Sequence, residues 1–329
     1  MKVLMFVPQS RCEKYSNPTA IPADVQMVFA KGGQSVEELT ALAGDAEVIV
    51  VDAVLPIGAD LIGALPKLKM IHSEGVAFSA IDVNAAKEAG VYVCNNRAVN
   101  APQVAEHALM LMMAVQRRLT DGDAMVRSGR QMEAKTRYIF EGIDDMVGKA
   151  VGLVGFGAIG KELAKRLKGF DTELFYYDAF RASAETEAEY GITYLELEEL
   201  YRRCDIISLH VPVTPETTNM INRETLAMMK PSAILINCAR GAIVNSVDLA
   251  QAIADGVIYG AGLDTMEPEP VPADDPIVCL PEECRYRVVL SPHVAGTTMT
   301  VFKNFYRNIW KNIALIQNGE KPFNIVNGL

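Results

Sequence analysis

Three polar residues in the second half of the sequence are of types that do chemistry on organic acids. Arg240 ends the segment AILINCAR, Glu269 lies in GLDTMEPEP and His293 lies in VVLSPHVAG. A guanidinium is always charged, and its forked donors bind a carboxylate through two hydrogen bonds. An imidazole exchanges a proton near neutral pH, and a neighbouring carboxylate favours the charged ring and fixes its orientation. Together these side chains could bind an acid and exchange a proton with it.

A glycine loop precedes these residues in the chain. The segment VGLVGFGAIG places Gly155, Gly157 and Gly160 after a strand pattern and before the helical pattern KELAKRLK. In this setting G-x-G-x-x-G makes a tight turn, lets the backbone approach a pyrophosphate and lets the helix meet the strand. Asp178 ends the next strand pattern, 178 − 160 = 18 residues after the last glycine. This spacing predicts a dinucleotide site that prefers NAD, because a carboxylate repels a 2′-phosphate, although the nearby Arg181 keeps NADP open.

Each of these features also has an ordinary structural explanation. An arginine at a strand end is usually a surface residue, a glutamate among prolines usually lies in a solvated turn, and a Pro-His pair is often a turn. The glycine motif alone is a tight turn, and Asp178 could simply cap a strand. The combination favours the functional interpretation, because all of these residues follow strands of one series and open α/β sheets bind ligands beyond their strands' carboxyl ends.

Apolar strand patterns alternate with helical patterns along most of the chain, which predicts parallel sheets with helices on their faces. The predicted strands are KVLMFV, EVIVVD, KMIHSEG, GVYVCN, VGLV, TELFYYD, DIISLHVP, AILINCAR, YGAGLD and RVVLSPH. A buried helix is predicted over residues 101–119, and another helix from about Thr298. Residues 120–147 show no clear period, and we interpret them as an extended arm or loop that could pack on a partner subunit.

Composition limits the class of protein. The chain has 329 residues, 50% of them hydrophobic, which suits two domains that each bury a core. The net charge of −10 and the lack of a basic stripe argue against binding to nucleic acid or to an anionic membrane. No apolar run is long enough to span a bilayer. The six cysteines lack the spacing of a zinc site, so we predict no metal, reduced thiols and a cytoplasmic location.

In seven segments the sequence resembles the D-isomer-specific 2-hydroxyacid dehydrogenases, which include phosphoglycerate, D-lactate and glyoxylate/hydroxypyruvate enzymes. In family order the segments are AAKEAGVYVCN, VAEHALMLM, GLVGFGAIG, SLHVPVTPET, INCARGAIV, AGLDTMEPEP and LSPHVAG. The resemblance implies NAD-dependent hydride transfer between a D-2-hydroxy acid and its 2-keto acid. It implies that Arg240 anchors the substrate carboxylate and carbonyl oxygen, and that His293, paired with Glu269, is the acid/base.

The resemblance also implies further contacts by position. The implied cofactor-binding residues are Gly155, Gly157, Ala158, Ile159, Gly160, Asp178, His210, Val211, Pro212, Cys238, Ala239, Arg240, Asp264 and His293. The implied substrate-binding residues are Gly75, Val76, Arg240 and His293. Asp264 resembles the aspartate that binds the nicotinamide carboxamide, and for His210 a structural role stays open. We interpret His72 and His107 as structural.

The implied fold class is α/β, with two Rossmann-like or flavodoxin-like parallel-sheet domains separated by a cleft. Residues 1–99 with 296–329 would form the substrate (catalytic) domain, and residues 100–295 would form the NAD-binding Rossmann domain. Substrate would sit in the cleft, and closure would exclude water before hydride transfer. The resemblance further implies a homodimer formed largely through the NAD-binding domain.

The predicted substrate domain departs from the family pattern. In the loop SEGVAFSAID, Glu74 and Phe78 are unusual, and Phe78 would either make the pocket more apolar or pack beneath the loop. Asp52 stands near the position where phosphoglycerate enzymes carry an arginine and a hydroxyl residue, so a phosphorylated substrate is disfavoured. Arg97 would either reach the cleft or bind a hinge carbonyl. Formate enzymes of the superfamily carry glutamine in place of Glu269, so formate is disfavoured.

Two other functions share this fold and stay open at this point. An NAD(H)-sensing binding protein, like the corepressors of this fold, can keep the same arginine, glutamate and histidine. A dehydrogenase of another substrate, such as phosphite, can keep them too. The sequence names neither the physiological acid nor the favoured direction of the reaction.

Overall fold

The computed structural model describes residues 1–329, and the chain divides into two compact units. Unit 1 comprises Met1–Asn100 and Thr297–Leu329, and unit 2 comprises Ala101–Gly296. None of the helices combines the length and the apolar character that a membrane span would need.

Each unit is built on one parallel β-sheet. The twelve strands are β1 (Lys2–Phe6), β2 (Gln26–Phe29), β3 (Val48–Val51), β4 (Met70–Ser73), β5 (Tyr92–Cys94), β6 (Ala150–Val154), β7 (Glu173–Tyr177), β8 (Ile192–Tyr194), β9 (Ile206–Leu209), β10 (Ile234–Asn237), β11 (Gly260–Leu263) and β12 (Val288–Leu290). Unit 1 has the order β2-β1-β3-β4-β5, and unit 2 has the order β12-β11-β10-β9-β6-β7-β8. All paired strands are parallel, so the prediction of two parallel-sheet α/β domains is confirmed.

Helices connect the strands and cover the sheets. They are α1 (Gln9–Tyr15), α2 (Val36–Ala43), α3 (Ala59–Ala64), α4 (Val83–Glu88), α5 (Ala101–Gln116), α6 (Leu119–Arg127), α7 (Gln131–Glu141), α8 (Ala158–Leu167), α9 (Ala184–Tyr190), α10 (Leu197–Arg203), α11 (Arg223–Leu226), α12 (Ser246–Ala254), α13 (Glu282–Arg285) and α14 (Met299–Gln317). α14 buries Tyr306, Ile309 and Trp310 in the same core cluster as residues of β1 and β3.

The central strands are continuous apolar runs, as expected where helices cover both faces of a parallel sheet. β3 reads VIVV and β6 reads AVGLV, and every residue of both strands is buried. In unit 2 the chain runs from β6 outward to β8 and then returns to β9 on the other side of β6. The carboxyl ends of β6 and β9 therefore form the switch point at which open α/β sheets bind ligands.

The interpretation of residues 120–147 as an extended arm or loop is wrong. This stretch is largely helical, and within α6 and α7 only Met125 and Ala134 are buried. Both helices are largely polar, so they lack the high apolar content that marked α5 in the sequence. Arg118 connects these helices to the rest of unit 2, because its buried side chain donates to Tyr259 Oη at 3.0 Å and to Glu141 Oε2 at 2.5 Å.

Two strands, β2 and β8, are not among those predicted from the sequence. Each lies at an edge of its sheet. β2 has no fully buried residue, and β8 has only three residues, so neither carries a long apolar run. The predicted helix over residues 101–119 is α5, which ends at Gln116 because Arg118 takes a left-handed backbone with φ of 50°.

The C-terminal tail KPFNIVNGL is extended and runs beside β5. Val326 N donates to Val93 O at 2.8 Å. The Asn327 side chain accepts from Val93 N at 3.1 Å and donates to Val91 O at 2.8 Å. The tail is thus fixed to the edge of the sheet of unit 1.

Candidate active site

Three adjacent parallel strands of unit 2 bring the predicted catalytic residues to one edge of the sheet. β10 pairs with β11, and β11 pairs with β12. Arg240, Glu269 and His293 follow these three strands in turn. Because the strands are parallel, their carboxyl ends lie side by side, at the edge where ligands of such sheets bind.

His293 and Glu269 are in direct contact. His293 Nδ1 lies 3.0 Å from Glu269 Oε1 and 2.9 Å from Oε2. Both side chains are partly exposed to solvent. The contact fixes the ring orientation and engages one ring nitrogen, which leaves Nε2 for another partner.

The buried Asp264 holds the segment that carries His293. Its carbonyl oxygen accepts from His293 N at 2.8 Å. Its carboxylate accepts from Val294 N at 3.0 Å and from Ala295 N at 2.9 Å. These bonds stabilise a segment in which His293 has a left-handed backbone with φ of 55°, a conformation that non-glycine residues rarely adopt. Asp264 therefore sets the direction in which the imidazole leaves the chain.

His107, for which the sequence indicates a structural role, belongs to the same network. His107 Nε2 lies 2.8 Å from Ser291 Oγ and 3.4 Å from Asp264 Oδ1, and Ser291 Oγ donates to Asp264 Oδ1 at 2.6 Å. Burial raises the pKa of Asp264, but the hydrogen bonds from His107, Ser291 and two backbone N–H groups outweigh it and hold that pKa well below its usual range. The only signal in the sequence is a histidine inside an otherwise apolar helix.

Arg240 stands at a strand end that is fixed by its neighbours. The Asn237 side chain donates to Arg240 O at 2.8 Å and accepts from Ala239 N at 3.0 Å. A Cβ on Gly241 would lie 2.1 Å from the carbonyl carbon of Met266, so only glycine fits there. Arg240 is exposed and forms no ion pair, and its Nη1 donates to Ala239 O at 2.7 Å. The structure shows no hydrogen bond from Arg240 to Glu269 or His293.

The three glycines of the loop after β6 are required for different reasons. Gly155 has φ of 100°, and a Cβ there would lie 2.8 Å from the carbonyl group of His210. A Cβ on Gly160 would lie 2.4 Å from Gly155 O. A Cβ on Gly157 would meet no atom within 4 Å. Contacts within the protein therefore require glycine at positions 155 and 160. Gly157 instead faces open space beside the N-terminus of α8, as the approach of a phosphate group would require.

Asp178 lies at the end of β7, beside this loop. Its Oδ2 accepts from Phe156 N at 2.7 Å, and its Oδ1 accepts from Phe180 N at 3.0 Å. Arg181 is engaged elsewhere, because its Nε lies 2.9 Å from Glu187 Oε1 and its Nη2 lies 3.2 Å from Glu187 Oε2. The carboxylate at this position is thus fixed, and the nearby guanidinium is already paired.

The remaining predicted cofactor residues flank the switch point. His210 N donates to Val154 O at 2.7 Å, and its Nε2 lies 2.9 Å from Ser208 Oγ. Burial lowers the pKa of His210 to about 4, so the ring is neutral at pH 7. Val211 Cγ1 would lie 3.1 Å from a Cβ on Gly155. The other predicted residues here are Ala158 and Ile159 at the start of α8, Pro212 after Val211, and the buried Cys238 and Ala239 after β10.

A cavity of about 530 Å³ borders the His293–Glu269 pair. Its lining is Asp264, Met266, Pro268, Glu269, Pro270, Val271, Val278, Leu290, Ser291, Pro292 and His293. Most of these side chains are apolar. The pair therefore borders a cavity whose walls are largely apolar, while both of its own side chains reach solvent.

In unit 1, Gly75 and Val76 lie in the loop after β4. Gly75 O accepts from Asn96 N at 2.9 Å, and Val76 O accepts from the Asn95 side chain at 2.6 Å. The N–H groups of Gly75 and Val76 have no hydrogen-bond partner within the chain. A loop with its carbonyls engaged and successive N–H groups unpaired is suited to an anion.

Two residues with open roles also lie in unit 1. Phe78 is half-buried and packs against the core cluster of this unit, which includes Ile57 and Ile81. Arg97 is exposed, and its backbone N donates to Asn95 Oδ1 at 3.2 Å. The packing of Phe78 against the core cluster supports the second of its two alternatives, which is packing beneath the loop.

The family model described as D-isomer specific 2-hydroxyacid dehydrogenase, NAD binding domain, matches residues 109–295. The chain is 39% identical over 272 residues to a glyoxylate reductase of Korarchaeum cryptofilum, covering 83% of this chain and 80% of that protein. It is 37% identical over 318 residues to a glyoxylate reductase of Thermococcus litoralis, covering 96% of this chain and 90% of that protein. The solved NAD-complexed D-isomer specific 2-hydroxyacid dehydrogenase of Lactobacillus delbrueckii ssp. bulgaricus is 26% identical with a TM-score of 0.81, over 99% of this chain and 100% of that chain.

Proposed function

Because the chain belongs to the D-isomer specific 2-hydroxyacid dehydrogenases, we propose how its residues carry out the reaction of that family. The protein is an NAD-dependent oxidoreductase that interconverts a 2-hydroxy acid and its 2-keto acid. Our proposal is that the hydroxy acid is the D isomer, that Arg240 anchors the substrate, and that His293 with Glu269 is the acid/base. The observation that carries it is the contact of His293 Nδ1 with both oxygens of Glu269.

His293 moves the proton in this proposal. Glu269 engages Nδ1, so Nε2 exchanges a proton with the substrate oxygen. During reduction the charged ring donates to the carbonyl oxygen, and during oxidation the neutral ring accepts the hydroxyl proton. Glu269 balances the charge of the ring, and Asp264 positions the ring by accepting hydrogen bonds from His293 N and Val294 N.

The substrate acid is held by donors of two kinds. The Arg240 guanidinium binds the carboxylate and the carbonyl oxygen, because its forked donors can reach two oxygens at once. The unpaired N–H groups of Gly75 and Val76 bind the carboxylate as well. The hydrogen bonds to both of their carbonyl oxygens support this assignment, because they hold the loop in place. On this assignment unit 1 is the substrate domain and unit 2 is the NAD-binding domain.

The residues of unit 2 fit the cofactor. The space in front of Gly157 accommodates the pyrophosphate, and Asp178 accepts from the adenosine ribose hydroxyls. Asp264 Oδ2 has one donor, Ala295 N, and can accept from the nicotinamide carboxamide too. We assign the remaining contacts to Gly155, Ala158, Ile159, Gly160, His210, Val211, Pro212, Cys238, Ala239, Arg240 and His293. When bound, NADH supplies the hydride for carbon 2 of the keto acid.

We also propose a homodimer formed through unit 2. The helices α6 and α7 expose large apolar side chains, among them Val126, Met132, Ile139 and Phe140, and Phe140 is 84% exposed. Large apolar side chains that are exposed on two neighbouring helices are typical of a protein interface. A cytoplasmic location completes the proposal, and the six unpaired cysteines support it.

Glyoxylate is the substrate that we place first, because the two relatives described above are glyoxylate reductases. The test is NADH oxidation with glyoxylate, hydroxypyruvate, pyruvate, 2-ketoisocaproate, phenylpyruvate and oxaloacetate. We expect turnover of at least one acid at ordinary enzyme rates of about 1 s⁻¹ or more. NADH binding without turnover of any of them would instead favour an NAD(H)-sensing protein.

A further inference from the structure

An ion cluster lies at the carboxyl ends of three adjacent strands of unit 1. Arg11, Asp52 and Glu74 follow β1, β3 and β4, which are neighbours in the sheet. Arg11 Nη2 lies 2.6 Å from Asp52 Oδ2 and 2.6 Å from Glu74 Oε2. The Tyr306 hydroxyl donates to Glu74 Oε1 at 2.6 Å. Two carboxylates therefore share one guanidinium at the edge where a ligand of this sheet would bind.

The two carboxylates are held differently. The Glu74 side chain is buried, with 4% of the residue exposed, and burial raises its pKa although Tyr306 and Arg11 oppose the rise. Asp52 is more accessible, with 34% of its side chain exposed. Arg11 Nε is buried without a hydrogen-bond partner, so the contacts of Arg11 with the two carboxylates are made through Nη2. Because Asp52 is the more accessible of the two carboxylates, it is the one with which a second anion would compete for Arg11.

The cluster borders the loop that we assign to the substrate carboxylate. Glu74 directly precedes Gly75. A Cβ on Gly75 would lie 3.2 Å from Ala53 Cβ, and Ala53 directly follows Asp52. The groups that follow β3 and β4 therefore pack against the anion-binding loop itself.

We propose that Asp52 and Glu74 occupy Arg11 so that the enzyme rejects 2-keto acids carrying a second anionic group. The inference rests on the proposed function, in which Gly75 and Val76 hold the carboxylate common to all substrates. A phosphate or second carboxylate near this loop meets two negative charges and one positive charge that is already shared. The substrate class is therefore the monocarboxylic 2-keto acids with an uncharged side chain. Removing the charge of Asp52 makes Arg11 available to the second anionic group.

The experiment compares hydroxypyruvate with 3-phosphohydroxypyruvate, which differ only in the phosphate. In the wild-type enzyme we expect kcat/KM for the phosphorylated acid to be at least about tenfold lower. In Asp52→Asn we expect the ratio of the two kcat/KM values to shift about tenfold toward the phosphorylated acid. Adding Arg11→Leu to that variant should abolish the gain, because the gain requires the guanidinium.

Asp45→Asn is the matched control. Asp45 precedes β3 and contacts Lys2, so this variant loses the same charge at the opposite end of the same strand and should keep the wild-type ratio. An unchanged ratio in a folded Asp52→Asn enzyme overturns the inference. Equal kcat/KM values for the two acids in the wild-type enzyme also overturn the inference, and this result is obtained without any variant. Absence of turnover with every 2-keto acid overturns the proposed function and this inference with it. Good turnover combined with either of the two results just described overturns the inference alone.

Discussion

The substitution Gly157→Ala distinguishes a glycine needed for cofactor binding from one needed for folding. Gly157 has φ of −77°, and an added Cβ meets no protein atom within 4 Å. Alanine is therefore accommodated, and we expect the free energy of unfolding to change by no more than about 1 kcal/mol. The same methyl group would occupy the space that the pyrophosphate must approach. Losing one backbone hydrogen bond to a charged phosphate costs about 1.5–3 kcal/mol, so Kd for NADH should rise roughly tenfold to a hundredfold.

The assay is a fluorescence titration with NADH, paired with urea unfolding of each variant. Gly169→Ala is the control, because a Cβ on Gly169 also meets nothing within 4 Å but lies after α8 rather than before it. It should bind NADH like the wild type. Gly160→Ala should lose both stability and NADH affinity, since its Cβ would lie 2.4 Å from Gly155 O and must distort the loop. Unaltered NADH affinity in a folded Gly157→Ala protein would refute the assignment of this space to the pyrophosphate.

Three further predictions concern the site, and a fourth concerns the buried His72 of unit 1. His293→Ala should lower kcat for keto-acid reduction about 10²–10⁴-fold while NADH still binds, and undiminished turnover would remove the acid/base role. Arg240→Lys should raise KM or lower kcat for every keto acid by about tenfold or more, because lysine lacks the fork, and a small effect would indicate another anchor. Asp178→Ala should shift the NADP/NAD ratio of kcat/KM toward NADP by about tenfold, and a fixed ratio would contradict the ribose contact. Burial lowers the pKa of His72 to about 4, below the value of 6.5 in an unfolded chain, so the unfolded state binds the proton first and stability falls as pH drops from 6.5 to 4. In His72→Asn this loss should be smaller by about 3 kcal/mol in urea unfolding, and identical pH curves would contradict it.

The fold class was predictable because buried parallel strands have continuous apolar sequences, such as VIVV in β3 and AVGLV in β6. The glycine loop was predictable because Gly155 and Gly160 meet steric demands that no other residue satisfies. The helices α6 and α7 were not, since both are largely polar and lack the apolar content that marked α5.

Contacts between residues far apart in the chain set the other limit. Tyr306 contacts Glu74 across 232 positions, and His107 contacts Ser291 across 184. Nothing local in the sequence pairs such residues, so a single sequence presents His107 as a core histidine and Glu74 as an odd substitution. The Asp264 network could be found only once the sheet had placed β11 and β12 beside each other.

The backbone contact at Gly241 has a consequence for how this protein can evolve. Because a Cβ there would lie 2.1 Å from the carbonyl carbon of Met266, the segments that carry Arg240 and Glu269 touch through main-chain atoms. Neither segment can shift or lengthen without displacing the other, so most insertions and substitutions here would disturb both. Selection for a new substrate should therefore accumulate changes in the loops after β3 and β4, where Asp52 and Glu74 stand. The reaction and the choice of acid can then diverge at different rates along one chain.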